Sequence, residues 1–143
     1  ATSMPIGFRL AQMPALAPLM ANLLPRAMIE ASIRNVYGDP SKVSDELIDR
    51  YYELTLRAGN REALRQRFIQ AEAGQGYTRI AELQVPTLII WGGRDELIPP
   101  VNAERFKRDI KGSRLVLFDE LGHVPQEEDP LRTVAVLKAF LEG

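Results

Sequence analysis

Residues 85–91 read Val-Pro-Thr-Leu-Ile-Ile-Trp, a continuous apolar and β-branched run. A strand with one wet face alternates apolar and polar residues. This run does not alternate, so it predicts a strand buried on both faces, as in a parallel sheet. An amphipathic helix is predicted over Asn102–Ile110, then a second apolar strand over Leu115–Phe118. A final helix follows over Leu131–Leu141, with Pro130 at its N-terminal edge. Strand, helix, strand, helix is the order of an α/β sheet. Two parallel strands do not make a sufficient sheet, so the expectation is part of a larger one whose other strands these residues do not encode.

The pattern before residue 83 is helical. Phe8–Leu24 is apolar but broken by prolines, which favours short helices or turns. Arg26–Val36 follows Pro25 and carries Met28, Ile29, Ile33 and Val36 at helical spacing. Tyr37-Gly38-Asp39-Pro40 is a turn. Ser44 is placed to cap the next helix, with Asp45 and Glu46 at its positive end. Leu47, Ile48, Tyr51, Tyr52, Leu54 and Leu56 are expected to form its apolar face, one of the two tyrosines buried and the other exposed. Gly59-Asn60 ends that helix, Arg61–Ala73 forms another, and Tyr77–Leu83 is a short helical or turn segment. Residues 1–82 and 83–143 are therefore expected to be separate parts.

Composition excludes several classes of function. The 143 residues carry a net charge of −1, which gives no electrostatic case for nucleic acid or an anionic membrane. There are no cysteines and one histidine, which removes disulfides, thiolate chemistry and histidine-rich metal sites. No apolar run reaches the roughly 18–20 residues that span a bilayer. The apolar start is interrupted by Pro5, Pro14, Pro18 and Pro25 and lacks a cationic leader, so it reads as structured protein rather than a signal peptide. A cytoplasmic location is expected, and the absence of Met at position 1 is consistent with a chain cut from something longer.

Two polar residues stand just beyond the predicted strands. Asp95 lies four residues past Trp91, after the Gly92-Gly93 bend, and His123 lies five past Phe118, after Gly122. Functional groups gather at the carboxyl ends of strands in open α/β sheets. Adjacent parallel strands would bring both loops to one edge. A carboxylate bonded to one imidazole nitrogen fixes the tautomer and leaves the other nitrogen free to deprotonate a nucleophile. Asp95 alone also fits a turn residue, and His123 alone a surface or capping histidine. Their order and shared strand context favour the catalytic pair. Leu97, Ile98 and Val124 flank the pair and are expected to face a substrate pocket. The acidic residues Asp119, Glu120, Glu127, Glu128 and Asp129 read as a solvated loop and the negative start of the last helix. Met4, Met13, Met20 and Met28 suit core or lid packing, or an adaptable apolar pocket.

The segments Val-Pro-Thr-Leu-Ile-Ile-Trp-Gly-Gly-Arg-Asp-Glu-Leu-Ile-Pro and Leu-Phe-Asp-Glu-Leu-Gly-His-Val-Pro-Gln-Glu-Glu-Asp-Pro resemble the C-terminal region of α/β-hydrolase-fold enzymes. The resemblance implies an α/β fold: two strands of the hydrolase sheet with flanking helices (83–143), preceded by a helical cap (1–82). It implies Asp95 as the triad acid, His123 as the base, and a nucleophile earlier in the chain. No Gly-x-Ser-x-Gly turn is present, and Ser3, Ser32, Ser41, Ser44 and Ser113 lack that context. Gly112-Ser113 reads as a helix-to-strand turn. The implied partners are a small apolar ester-like substrate and the N-terminal half of the same hydrolase, with no cofactor or metal. The same fold supports epoxide hydrolases, in which cap tyrosines activate the oxirane, and Tyr51 and Tyr52 keep that alternative open. Haloalkane dehalogenases and C–C bond hydrolases share the scaffold as well. A non-catalytic interaction fragment is the alternative from a different class.

Overall fold

The computed structural model describes residues 25–70 and 76–143. The expectations for Phe8–Leu24, for Met4, Met13 and Met20, and for the helix end at 71–73 lie outside these residues. The described chain forms two compact units, one of residues 25–35 and 43–70, the other of Val36–Lys42 with residues 76–143.

The first unit is helical. Helix α1 spans Arg26–Val36, its last residue belonging to the second unit, α2 spans Asp45–Leu56 and α3 spans Asn60–Gln70. The Ser44 hydroxyl accepts from Leu47 N at 3.2 Å, satisfying one of the amides that every helix start leaves unpaired. Arg26 joins α1 to α2 through Asp49 at 2.6 Å and Asp45 at 3.2 Å. These pairs are exposed, so the burial of Ile48 contributes more than they do. Along the predicted apolar face of α2 only Ile48 is buried; Leu54 and Leu56 are exposed. Tyr51 and Tyr52 are both half-buried instead of one in and one out. Adjacent helical positions sit about 100° apart, and here they straddle the boundary of the buried face.

The second unit holds the sheet. Strand β1, Leu88–Gly92, pairs in parallel with β2, Arg114–Phe118, with Ile89 opposite Leu115 and Gly92 opposite Phe118. Strand β1 begins three residues later than the apolar run suggests. Pro86 has no N–H for a ladder, and the first cross-link is Arg114 N donating to Thr87 O at 2.9 Å. Helix α4, Val101–Asp109, carries Ala103 onto a core of Ile89 and Ile110, joined by Ile80, Trp91, Phe106 and Leu115. The Trp91 and Phe106 rings lie 5.9 Å apart, so Trp91 packs on the crossover helix. Gly112, at φ +77°, makes the turn from this helix into β2.

Beyond β2 the chain forms a short helix α5, Pro125–Glu128, and then α6, Pro130–Leu141, capped by Asp129 accepting from Arg132 N at 3.1 Å. The α5 turn was not foreseen; its first residue, Pro125, is pre-set for a helix start. Burial on both faces of the strands is only partly realised. Ile89, Gly92 and Phe118 are buried while Leu117 is exposed. A sheet of two strands cannot cover its own outer positions, and on α6 Leu131 is 84% and Leu141 74% exposed.

The glycines at the sheet's end provide a test. A Cβ on Gly92 would sit 1.9 Å from the Gly122 carbonyl oxygen, whereas Gly112 has nothing within 4 Å and only its backbone angle to defend. Gly92→Ala is expected to cost about 3 kcal/mol or more, and Gly112→Ala about 1–2 kcal/mol, measured by urea denaturation. A reversed order would contradict the close approach at Gly92.

Candidate active site

Parallel pairing sends the chain out of β1 and β2 at the same edge, and the two loops bond directly to each other. Gly93 N donates to Phe118 O at 2.7 Å, and Arg94 N to Leu121 O at 2.9 Å. A Cβ on Gly93 would lie 2.7 Å from the Asp119 backbone, so the bend needs glycine for close approach.

Asp95 follows this bend and is 5% exposed. Its Oδ1 accepts from Leu97 N at 3.0 Å and Ile98 N at 2.8 Å. Its Oδ2 lies 2.8 Å from His123 Nδ1. A carboxylate offers only lone pairs, so Nδ1 donates and Nε2 of the neutral ring is the acceptor. The His123 side chain is 31% exposed. The arrangement is an oriented base: one nitrogen held by a buried acid, the other available to take a proton.

The histidine loop is held by the segment 36–39. His123 N donates to Val36 O at 2.7 Å, and Arg94 Nη1 reaches Gly38 O at 3.3 Å. Glu128 is 8% exposed, and its Oε1 accepts from Gly122 N at 2.6 Å. Its Oε2 accepts from Gly38 N at 2.9 Å and Asp39 N at 3.4 Å. Glu128 thus departs from the solvated acidic stretch read in the sequence. Its bonds to Gly38 and Asp39 run to residues about ninety positions earlier, a pairing that leaves no local pattern. Elsewhere in the stretch, Tyr37 donates to Glu127 at 3.2 Å, and Arg132 binds Glu120 while lying 4.6 Å over the Phe118 ring.

A small pocket beside the pair is lined by Ile90, Trp91, Gly92, Asp95, His123 and Pro125. Leu97 and Ile98 meet Asp95 through their backbones, Ile98 O accepts from Trp91 Nε1 at 3.1 Å, and Val124 is half-buried. None of these three belongs to the pocket lining, whereas Ile90, Trp91 and Pro125 were not anticipated there. Strand alternation would have put Ile90 and Gly92 on one face.

The described serines are engaged locally. Ser32 donates to Met28 O at 2.8 Å, Ser41 to Asp39 at 2.6 Å, and Ser44 caps α2. Ser113 is buried at the start of β2, the end of the strand opposite the histidine loop. Among the described residues no group of three or more histidine, aspartate or glutamate side chains is placed to hold a metal ion. None of their helices is long and apolar enough to cross a membrane.

Residues 3–130 match the family described as alpha/beta hydrolase fold. The chain is similar to a pimeloyl-[acyl-carrier protein] methyl ester esterase of Neisseria meningitidis serogroup B, 31% identical over 100 residues covering 70% of this chain and 39% of that protein. It is also similar to Lipase 3 of Moraxella sp., 36% identical over 64 residues, 45% of this chain and 20% of the lipase. Among solved structures, a meta-cleavage product hydrolase from Pseudomonas fluorescens superposes with a TM-score of 0.72 at 27% identity, over 86% of this chain and 48% of that one. The chain spans less than half the length of each of these proteins.

Two outcomes follow from the geometry. Asp95→Ala strands two backbone amides and is expected to cost about 2 kcal/mol in urea denaturation, while Asp95→Asn keeps an acceptor and costs clearly less. The Arg132 guanidinium holds the Glu120 carboxyl below its ordinary value of 4.5. Stability from that pair is therefore present above pH 4.5 and lost as pH falls through the lower folded value. Glu120→Gln is expected to flatten the acid limb of the stability profile there, and an unchanged limb would contradict the pairing.

Proposed function

The chain belongs to the alpha/beta hydrolase fold family, and on that premise we propose that it supplies the acid and the base of a hydrolase acting on a carboxylic ester. The observation that carries this reading is the buried Asp95 held 2.8 Å from the ring of His123, the two lining a small pocket with Ile90, Trp91 and Pro125. His123 Nε2 takes the proton of a serine hydroxyl as that oxygen attacks the ester carbonyl. Asp95 stabilises the imidazolium that results. The proton then passes to the leaving alkoxide, and the same nitrogen activates water to release the acid. The serine comes from a separate N-terminal segment, since the described serines are committed elsewhere.

Residues 1–82 act as the cap, and Leu97, Ile98 and Val124 contribute to substrate contacts as the bound ester extends beyond the small pocket. The substrate is a small apolar ester met in the cytoplasm, and the chemistry uses no cofactor or metal. Support for the ester comes from the esterase and lipase relatives. A second reading, carbon–carbon bond hydrolysis, draws on the meta-cleavage product hydrolase likeness. The two differ in the bond cleaved and share the acid and base. An aspartate nucleophile would instead give an epoxide hydrolase or haloalkane dehalogenase. The exposed Leu131 and Leu141 on α6 suit association with the N-terminal half.

The test is hydrolysis of a short-chain aryl ester. His123→Ala in the complete hydrolase is expected to lower kcat by about 10⁶-fold and Asp95→Ala by about 10⁴-fold. The 143-residue chain alone is expected to be inactive. Full activity in the His123→Ala enzyme would end the triad reading. Turnover by the isolated chain that disappears in His123→Ala would end the external-nucleophile reading.

A further inference from the structure

We propose that Glu128 is a positioning residue for the base, setting the direction of the His123 imidazole by fixing the backbone on both sides of Gly122. The inference rests on the reading of Asp95 and His123 as acid and base. Three observations lead to it. Gly122 is required by space, since a Cβ there would lie 2.4 Å from both Gly38 N and Val36 O. The same lack of a side chain leaves the residue before the base with the widest backbone freedom of any amino acid. That freedom is removed by hydrogen bonds at two consecutive amides: Gly122 N to Glu128 Oε1 at 2.6 Å, and His123 N to Val36 O at 2.7 Å.

Glu128 governs both of these bonds. Its second oxygen holds Gly38 N and Asp39 N at 2.9 and 3.4 Å, which keeps the segment carrying Val36 O against the histidine loop. One buried carboxylate therefore ties the loop to the strap that receives it. A water molecule or a neutral side chain could replace one of these contacts. It would not readily supply two acceptor oxygens in opposite directions from a single rigid group. The catalytic bond downstream is sensitive to such control, because Nδ1 and Oδ2 lose their interaction over a few tenths of an ångström. Displacement of a reacting group by about 1 Å can cost about 10²-fold in rate. Glu128 is not among the residues that line the pocket, and the bonds its carboxylate makes run to main-chain amides, so the control it exerts passes through the backbone.

His123 is the single histidine of the chain, so ¹⁵N labelling of histidine reports one imidazole. In the full chain the wild-type ring is expected as one tautomer, protonated at Nδ1 and slow to exchange. Glu128→Ala and the isosteric Glu128→Gln are expected to mix the tautomers and to speed Nδ1–H exchange at least about tenfold, Gln less than Ala because it keeps one acceptor. A purely structural staple would lower the unfolding midpoint and leave the ring spectrum as it was. An unchanged spectrum in the folded variants overturns the proposal, and Glu128→Gln decides it if Glu128→Ala does not fold. Asp95→Asn separates the two levels. If it leaves the ring unchanged, the Asp95–His123 pairing falls and this inference with it. If it shifts the ring while both Glu128 variants do not, only the role of Glu128 falls.

Discussion

Three stretches of main chain meet at the carboxyl end of the sheet with almost no side chain between them. Gly92 ends the first strand, Gly122 precedes the histidine, and Gly38 lies on the segment packed against the far side of the histidine loop. The constraint is steric, and the chemistry depends on it. Because the backbones touch, amides of one stretch reach carbonyls of the next, and Asp95 and His123 inherit positions defined by main-chain bonds. Any bulk at these points would push the acid and base apart before it altered either of them.

Such an arrangement explains which parts were legible from residue order. Helix α1 was expected over Arg26–Val36 and occupies those residues, because apolar spacing and Pro25 are local signals. The cap at Ser44 and the turn at Gly112-Ser113 were legible for the same reason. The pairing of Asp95 with His123 followed from two strands read as parallel neighbours, a topological inference with one natural outcome. Contacts made at long sequence separation were not legible. Nothing near Glu128 announces that its partners are Gly38 and Asp39, and a run of acids ordinarily means a wet surface. The start of β1 was misplaced because apolar character continues through Val85 and Pro86, where the capacity to form a ladder does not.

Burial tells a related story. A continuous apolar run announces a strand that expects cover, but not what provides it. Within the chain, helix α4 covers Ile89 from one side, whereas Leu117 stays in contact with solvent. Helix α6 likewise turns apolar side chains outward. Among the described residues, Asp95 and His123 are held by several hydrogen bonds, whereas Leu117 and the apolar side chains of α6 lie exposed. Stability and chemical order are thus unevenly distributed.

The way Asp95 is held has a further consequence. One of its oxygens is anchored by the amides of residues 97 and 98, not by their side chains. Main-chain amides are common to every amino acid except proline. Leu97 and Ile98 can therefore be exchanged for residues of other size or polarity while the carboxylate keeps its orientation. The loop separates two requirements that often conflict in an enzyme. It fixes the carboxylate beside the imidazole through the main chain alone, and it leaves the adjacent side chains open to change without disturbing that contact.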